Sequence, residues 1–360
     1  MDTSSLIKVA QAGPDDVGAL DRALAAAGVP HRKITGILGK TEGNGCVNDY
    51  TRGFATTALR HYLQQFMEMT AVDAVPIIMS GGCEGVISPH LTVFFDVDVP
   101  KGQAATGGLR VARGRTRDLD PDEIGTPAMV ETVGAAVSAV MRDHGLTADA
   151  VHFAQIKCPL LGSEDIRQSK RPLATTDTLK SMGLSRGAAS LGVALALGEL
   201  SPEVIRSTRI GGDLEVFSSV ASTSAGIELK YCEILLLGNS PRSCSPFRIG
   251  HDVMRHCLDL QAVQRAVRSS QSCESSIDLR RVVQVFAKAE AAPCGEVLGS
   301  RHTMLQDSDI SPTRMARAVV GAVVAGLTQD PLVYVSGGAE HQGPPGGGPV
   351  AVISRMGDGA

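Results

Sequence analysis

The chain has 360 residues, 43% of them hydrophobic and 20% charged, with a formal net charge of -4. That balance belongs to a globular protein, so wholesale disorder is excluded and nucleic acid is not an expected partner. No apolar run reaches the roughly 18 residues of a membrane span, and the opening MDTSSLIKVAQAGPDD lacks a basic, apolar leader, so no membrane partner is expected and the chain is read as cytoplasmic.

In chain order, an amphipathic helix is predicted over 15–28, followed by a short strand, ITGILGKTEG, that carries Lys40. Thr51-Arg52-Gly53 opens a second helix, and the apolar run VPIIM ends in Ser80-Gly81-Gly82-Cys83-Glu84. The same order returns. A helix over 122–145 precedes VHFAQIKCP with Lys157; Ser185-Arg186-Gly187 opens a helix; a strand ends in Ser224-Ala225-Gly226-Ile227-Glu228. Between them lies an extra charged loop, 163–183. A third round has a helix over 251–269, VVQVFAKAE with Lys288, and Thr313-Arg314-Met315 behind Ser311-Pro312, a fitting N-cap and first-turn pair. It closes on Ser336-Gly337-Gly338-Ala339-Glu340. Helix, Lys strand, Arg helix, Ser strand occurring three times predicts an α/β (α+β) fold of three repeats, at 1–103, 112–250 and 255–360. In the second repeat Ser222 competes with Ser224 for the register; only Ser224 gives Ser-x-Gly-x-Glu.

These residue types suggest a chemistry. A Ser hydroxyl beside small residues leaves backbone N–H groups open to a carbonyl. A lysine in a partly desolvated strand has a lowered pKa and can act as the base for that Ser. Arginine at a helix N-terminus opposes the helix dipole, so three of them there imply another use, such as gripping a planar, carbonyl-rich ligand. The tail of the third repeat, from Ala339 through GPPGGGP, exposes carbonyls that can hold Mg²⁺ or Ca²⁺ with a carboxylate.

Other chemistries are disfavoured. Aromatics are 3% with no Trp, which argues against stacking platforms. The eight cysteines, at 46, 83, 158, 232, 244, 257, 273 and 294, form no C-x-x-C pair and are read as reduced, mostly buried thiols. His251 and His256 are five apart, wrong for one helix face, and neither a Walker loop, a dinucleotide fingerprint nor G-x-S-x-G is placed suitably.

The phrases KITGILGKTEGNGCVNDYTRGFA, IIMSGGCEGVISPH, ASTSAGIELKYCE, FAKAEAAPCGEVLGSRHTMLQDSDISPTRMARAV and VSGGAEHQGPPGGGPVAVI closely resemble the cyanuric acid hydrolase and barbiturase family of ring-opening amidohydrolases. The resemblance spans essentially the whole chain. It implies a Toblerone fold, with three repeats about a pseudo-threefold axis and one central active site. It pairs Ser80 with Lys40, Ser224 with Lys157 and Ser336 with Lys288, and assigns the ring-clamping role to Arg52, Arg186 and Arg314. Gly81, Ala225 and Gly337 would supply the N–H groups. It makes Ser224 the nucleophile and Lys157 its base. The ring would open through an acyl-enzyme to carboxybiuret, which loses CO₂ to give biuret.

No organic or redox cofactor is implied. A structural divalent cation, Mg²⁺ or Ca²⁺, would be held by Glu296, Ala339, Gln342, Gly343, Pro344 and Gly347, with Glu290 as rival to Glu296. The family resemblance also implies a homotetramer. Cyanuric acid is the favoured substrate and barbituric acid the close alternative. A non-catalytic binding module is disfavoured because binding alone needs no base.

Overall fold

The computed structural model describes residues 3–272 and 276–357, so Cys273 lies outside the described residues. The first repeat runs β1 (Ser4–Ala10), α1 (Val17–Ala26), β2 (Ile34–Thr41), α2 (Tyr50–Leu63), α3 (Met69–Asp73), β3 (Ile77–Gly81) and β4 (His90–Asp96). The second has β5 (Leu109–Arg115), α4 (Pro127–His144), β6 (Val151–Pro159), α5 (Ser163–Gln168), α6 (Thr178–Leu197), α7 (Pro202–Ser207), β7 (Ala221–Gly226) and β8 (Glu233–Asn239). The third has β9 (Phe247–Met254), α8 (Leu260–Gln271), β10 (Val282–Ala289), a small hairpin of β11 (Glu296–Val297) and β12 (Ser300–Arg301), α9 (Pro312–Thr328), β13 (Tyr334–Gly337) and β14 (Gly348–Arg355).

Each repeat folds into one four-stranded sheet with the same order: β1-β4-β2-β3, β5-β8-β6-β7 and β9-β14-β10-β13. The Lys strand is internal, with the Ser strand parallel on one side and the last strand antiparallel on the other. Every repeat therefore has a first and a last strand that the sequence pattern did not announce. β9 takes residues 251–254, expected as the start of a helix, because they pair antiparallel with β14; α8 starts only after Asp259, whose carboxylate accepts from Ala262 N at 3.0 Å. The third sheet thus begins at Phe247, ahead of the expected boundary at 250–255, and the second at Leu109 rather than 112. The charged loop expected over 163–183 includes α5 and the start of α6.

Side chains alternate across a strand, so each sheet buries two faces. One face of all three sheets meets at the centre: Leu38, Ile78, Phe94, Phe153, Leu235, Phe286, Tyr334 and Ile353 share one cluster. There the rings of Phe153 and Phe286 stack with centroids 4.8 Å apart. Truncating such a buried ring costs about 3–5 kcal/mol. The opposite faces pack under helices in three separate clusters, one per repeat. Counting two residues on from the central apolar positions gives Lys40 after Leu38, Ser80 after Ile78, Lys288 after Phe286 and Ser336 after Tyr334. The period of two thus points these polar groups into the same interior, at one end of the axis.

Among the described residues no helix is long and apolar enough to cross a membrane. The seven described cysteines are free, and Cys158, Cys232 and Cys257 are buried.

Candidate active site

Strand register places each lysine beside its serine. Lys40 lies opposite Ser80, Lys157 opposite Ser224, and Lys288 opposite Ser336 on adjacent parallel strands. The same register sets Ser222 opposite Gln155, whose Oε1 accepts from the Ser222 hydroxyl at 2.9 Å, so Ser222 sits one layer deeper. Lys40 Nζ donates to Ser80 Oγ at 3.3 Å and Lys288 Nζ to Ser336 Oγ at 3.2 Å. Ser224 differs: its buried Oγ has no hydrogen-bond partner among the described residues.

The repeats interlock at this level. Each lysine reaches the carbonyl just before a serine of a neighbouring repeat: Lys40 to Val335 O at 2.8 Å, Lys157 to Met79 O at 3.3 Å, Lys288 to Thr223 O at 2.8 Å. Arginines run the other way around. Arg52 donates to Ala225 O at 3.1 Å, Arg186 forks onto Glu340 at 2.8 and 2.6 Å, and Arg317 forks onto Glu84 at 2.8 and 2.5 Å. The arrangement exists only when all three repeats are folded together.

Ser80, Gly81, Ser224, Ala225, Ser336 and Gly337 line one narrow polar cavity with Arg52, Arg186 and Arg317. A wider recess of about 570 Å³ shares Gly45, Met182, Arg186, Arg317 and Gly337 with it and forms its mouth. Arg314 is not in the cavity. Its side chain is 38% exposed and reaches Glu84 at 3.3 Å from the outer side, whereas Arg317 is 4% exposed. Arg317 thus lines the cavity in the place expected for Arg314, which lines only the wider recess. Val320 and Val324 mark the buried side of α9; at about 100° per residue, position 317 stands about 60° from Val320 and position 314 about 120°. Arg186 is also not at a helix N-terminus, since α6 starts at Thr178.

Burial sets the electrostatics. It pushes the Lys40 ammonium down to about 7, with Arg317 adding to the effect. Burial lowers Lys288 well below its ordinary value, again with help from an arginine, Arg186. Lys157 is lowered by burial, while Glu228, whose Oε1 lies 3.2 Å from Nζ, works against it. Three buried amines that lose protons readily are what a set of bases or neutral donors requires.

The C-terminal loop closes beside this site. Glu290, Ala339, Glu340, Gly343, Pro344 and Gly346 line a cavity of about 230 Å³. Glu290 is half-buried there, takes the Thr313 hydroxyl at 3.1 Å, and has its pKa raised by desolvation and by Glu340. Arg186, which draws that pKa down, is itself paired with Glu340. Glu296 is exposed in the small hairpin, opposite Arg301, and is not among the residues lining that cavity. Of the two carboxylates weighed for a cation, Glu290 lines this cavity and Glu296 does not. Gln342 and Gly347, also expected as ligands, do not line it: Gln342 lies fully buried, its Oε1 accepting from Thr223 N at 2.6 Å, and Gly347 N closes the turn on Pro344 O at 2.9 Å. A half-buried carboxylate beside a Gly/Pro-rich loop offers oxygen ligands of the type that Mg²⁺ or Ca²⁺ takes.

Residues 5–355 match the family described as amidohydrolase ring-opening proteins. The chain belongs to that family. Cyanuric acid amidohydrolases from Enterobacter cloacae and Rhizobium johnstonii are 46% and 48% identical to it, covering 98% and 97% of this chain and 99% and 97% of their own. The crystal structure of a cyanuric acid hydrolase from A. caulinodans superposes with a TM-score of 0.90 at 43% identity, over 99% of this chain and 100% of that one. A second solved cyanuric acid hydrolase, described as an evolutionary innovation by structural concatenation, matches equally well, in keeping with the three sheets of identical order.

Some contributors within this ring-opening scaffold were not anticipated. Arg317 had a signal in the helical wheel. Asp49 had one as well, since an acid just before a helix is a common cap: it accepts from Thr51 N at 3.1 Å and from Gly45 N at 2.8 Å, so it shapes the loop that brings Gly45 to the cavity. Met182 had none, because it reaches the cavity from inside the inserted segment.

Proposed function

We propose that this protein opens the ring of cyanuric acid by hydrolysis, using Ser224 as nucleophile and Lys157 as its base. The observation that supports the reading most is the threefold lysine–serine register around one cavity that also holds three arginines. Cyanuric acid is a planar ring with three carbonyls alternating with three N–H groups, so each Ser and the N–H after it can meet one carbonyl. The three arginines stabilise negative charge on the ring.

Ser224 is favoured as the nucleophile because its hydroxyl is the one left without a partner, while Ser80 and Ser336 are tied to their lysines. Rotation of the terminal bonds of Lys157 carries its amine to the neighbouring hydroxyl. Lys157 takes the Ser224 proton and Oγ bonds to a ring carbon. The ring C–N bond then breaks, and its nitrogen takes the proton from Lys157. The other two serines and their N–H groups hold the remaining oxygens. Water, deprotonated by the same amine, releases carboxybiuret, which loses CO₂ to give biuret.

A divalent cation at Glu290 and the carbonyls of Ala339, Gly343 and Pro344 would supply fixed positive charge that ties this loop next to Glu340 and so holds Arg186. No step of the chemistry depends on it. The family resemblance supports a homotetramer, and light scattering on the purified protein tests the assembly. The functional reading is tested by offering purified enzyme cyanuric acid and barbituric acid and following loss of ring absorbance. Turnover of cyanuric acid well above barbituric acid is expected; the reverse preference would replace the substrate.

A further inference from the structure

The Ser-x-Gly-x-Glu phrase gives each repeat one glutamate, and the structure uses the three unequally. Glu84 and Glu340 are each forked by an arginine from another repeat, Arg317 and Arg186. Glu228 has no such fork. Arg52, the arginine in the corresponding place, donates instead to Ala225 O at 3.1 Å and Cys46 O at 2.6 Å, with Asp49 at 3.8 Å. Glu228 turns back onto its own repeat and pairs with Lys157 at 3.2 Å.

The backbone explains the turn. Gly82 and Gly338 enter the left-handed region, with φ of 100° and 78°, and swing the chain outward to the next repeat. Gly226 is not among the positive-φ glycines and ends the strand. The Glu228 carboxylate folds over it so closely that a Cβ on Gly226 would stand 2.2 Å from Oε2.

We propose that Glu228 is a positioning residue that makes the second lysine–serine pair the reactive one: it holds Lys157 off Ser224 in the resting site and stabilises the ammonium formed when Lys157 takes the Ser224 proton. This rests on the reading of Ser224 and Lys157 given above. The proton moves from Ser224 Oγ to Lys157 Nζ and later to the leaving ring nitrogen; Glu228 takes no proton and contributes charge. An ammonium generated in a buried site is costly unless an anion faces it, and Lys40 and Lys288 have no carboxylate in ion-pair contact among the described residues. The other groups facing Lys157 are Arg52 from α2, Cys158 on its own strand, and Glu233, opposite it on β8. Glu233 lies 3.6 Å from Arg60 and burial pushes it up to about 7, whereas Glu228, drawn down by Lys157 against the effect of burial, stays ionised below its ordinary value.

The test is the pH profile of kcat/KM, which reports ionisations of the free enzyme. A base must be neutral to act, so activity falls on the acid side as Lys157 gains its proton. The Glu228 charge raises the Lys157 pKa. Glu228→Gln should therefore move the acid limb about 1–3 pH units lower, while kcat falls about 10²–10⁴-fold, as when the orienting acid of a catalytic triad is neutralised. Glu228→Asp should restore part of both. Gly226→Ala, which pushes the carboxylate away while keeping it, should move the limb in the same direction and serves if Glu228→Gln does not fold. Glu84→Gln frees Arg317 and should raise KM with the limb unmoved; Glu233→Gln separates that group's own titration. An unmoved limb in both Glu228→Gln and Gly226→Ala overturns the proposal. A Ser224→Ala enzyme with normal turnover instead overturns the choice of nucleophile, so the two failures are distinct.

Discussion

The second repeat and its two neighbours share a sheet order and a lysine–serine register, yet their polar ends are wired differently. In the first and third, the lysine is tied to its serine and the glutamate to an arginine. In the second, the lysine is tied to the glutamate and the serine is left without a partner. One fold repeated three times therefore gives two saturated stations and one open one. The lesson is that symmetry supplies a ring-shaped site, while the break in symmetry singles out one station, the one proposed above to react.

The widest expected separation is among the serines. Ser224→Ala removes the attacking oxygen and should reduce turnover by several orders of magnitude, with Lys157→Ala alongside because the pair acts as one unit. Ser80→Ala and Ser336→Ala each remove one donor from a carbonyl nest and keep the N–H. Such a donor is worth roughly 10²–10³ in rate. Steady-state kinetics on the four variants, with mass spectrometry for an acyl adduct, measures the contrast. An adduct on Ser80 or Ser336 would show that the open station is not the working one.

The arginines give a smaller contrast. Arg317→Met removes a buried fork at the cavity wall, and hydrogen bonds to charged groups contribute about 1.5–3 kcal/mol, so kcat/KM should fall about tenfold to a hundredfold. Arg314→Met removes a half-exposed pair that contributes about 1 kcal/mol or less and should stay within a few-fold of the parent enzyme. Equal losses in both variants would mean that Arg314 swings into the cavity when substrate binds.

How far these features were legible depends on what each one rests on. The repeat and all three lysine–serine pairs could be read because the same order of Lys strand, Arg helix and Ser strand recurs three times; in the first and third repeats a period of two also carries them from central apolar positions to the axis, whereas in the second the positions two residues earlier are Gln155 and Ser222. Arg52 and Arg186 could be read from local phrases. The same kind of phrase points to Arg314, whereas the buried face of α9, marked by Val320 and Val324, carries Arg317 to the cavity. The outer strands were hidden by their composition: β5 is LRVARGR and β9 is FRIGHDVM, and both become strands through partners far away in the chain. The distinct role of Glu228 could not be read at all. Its Ser-x-Gly-x-Glu phrase matches the other two apart from Ala225, and the turn of its carboxylate goes with Gly226 staying outside the left-handed region that Gly82 and Gly338 enter.

The smallest expected effect compares Glu290 with Glu296, and its sign is informative. Glu290 is half-buried beside Glu340, and desolvation together with the Glu340 charge raises the cost of ionising it. Without a cation that neighbourhood is a liability, so Glu290→Gln would relieve repulsion and raise the melting temperature. With a divalent cation held between Glu290 and the loop carbonyls, the same substitution removes the one negative ligand and should lower it. A ligand present at a hundred times its Kd stabilises by about 2.7 kcal/mol, which for a protein of this size is a shift of several degrees. Chelator should produce that shift in the parent enzyme and in Glu296→Gln, whose carboxylate sits exposed in the β11–β12 hairpin, and should do nothing further to Glu290→Gln. Scanning calorimetry with and without chelator, joined to elemental analysis, reads both signs. A melting temperature that rises in Glu290→Gln and ignores chelator throughout would leave Glu290 as a strained neighbour of Glu340 and remove the cation from the description of this loop.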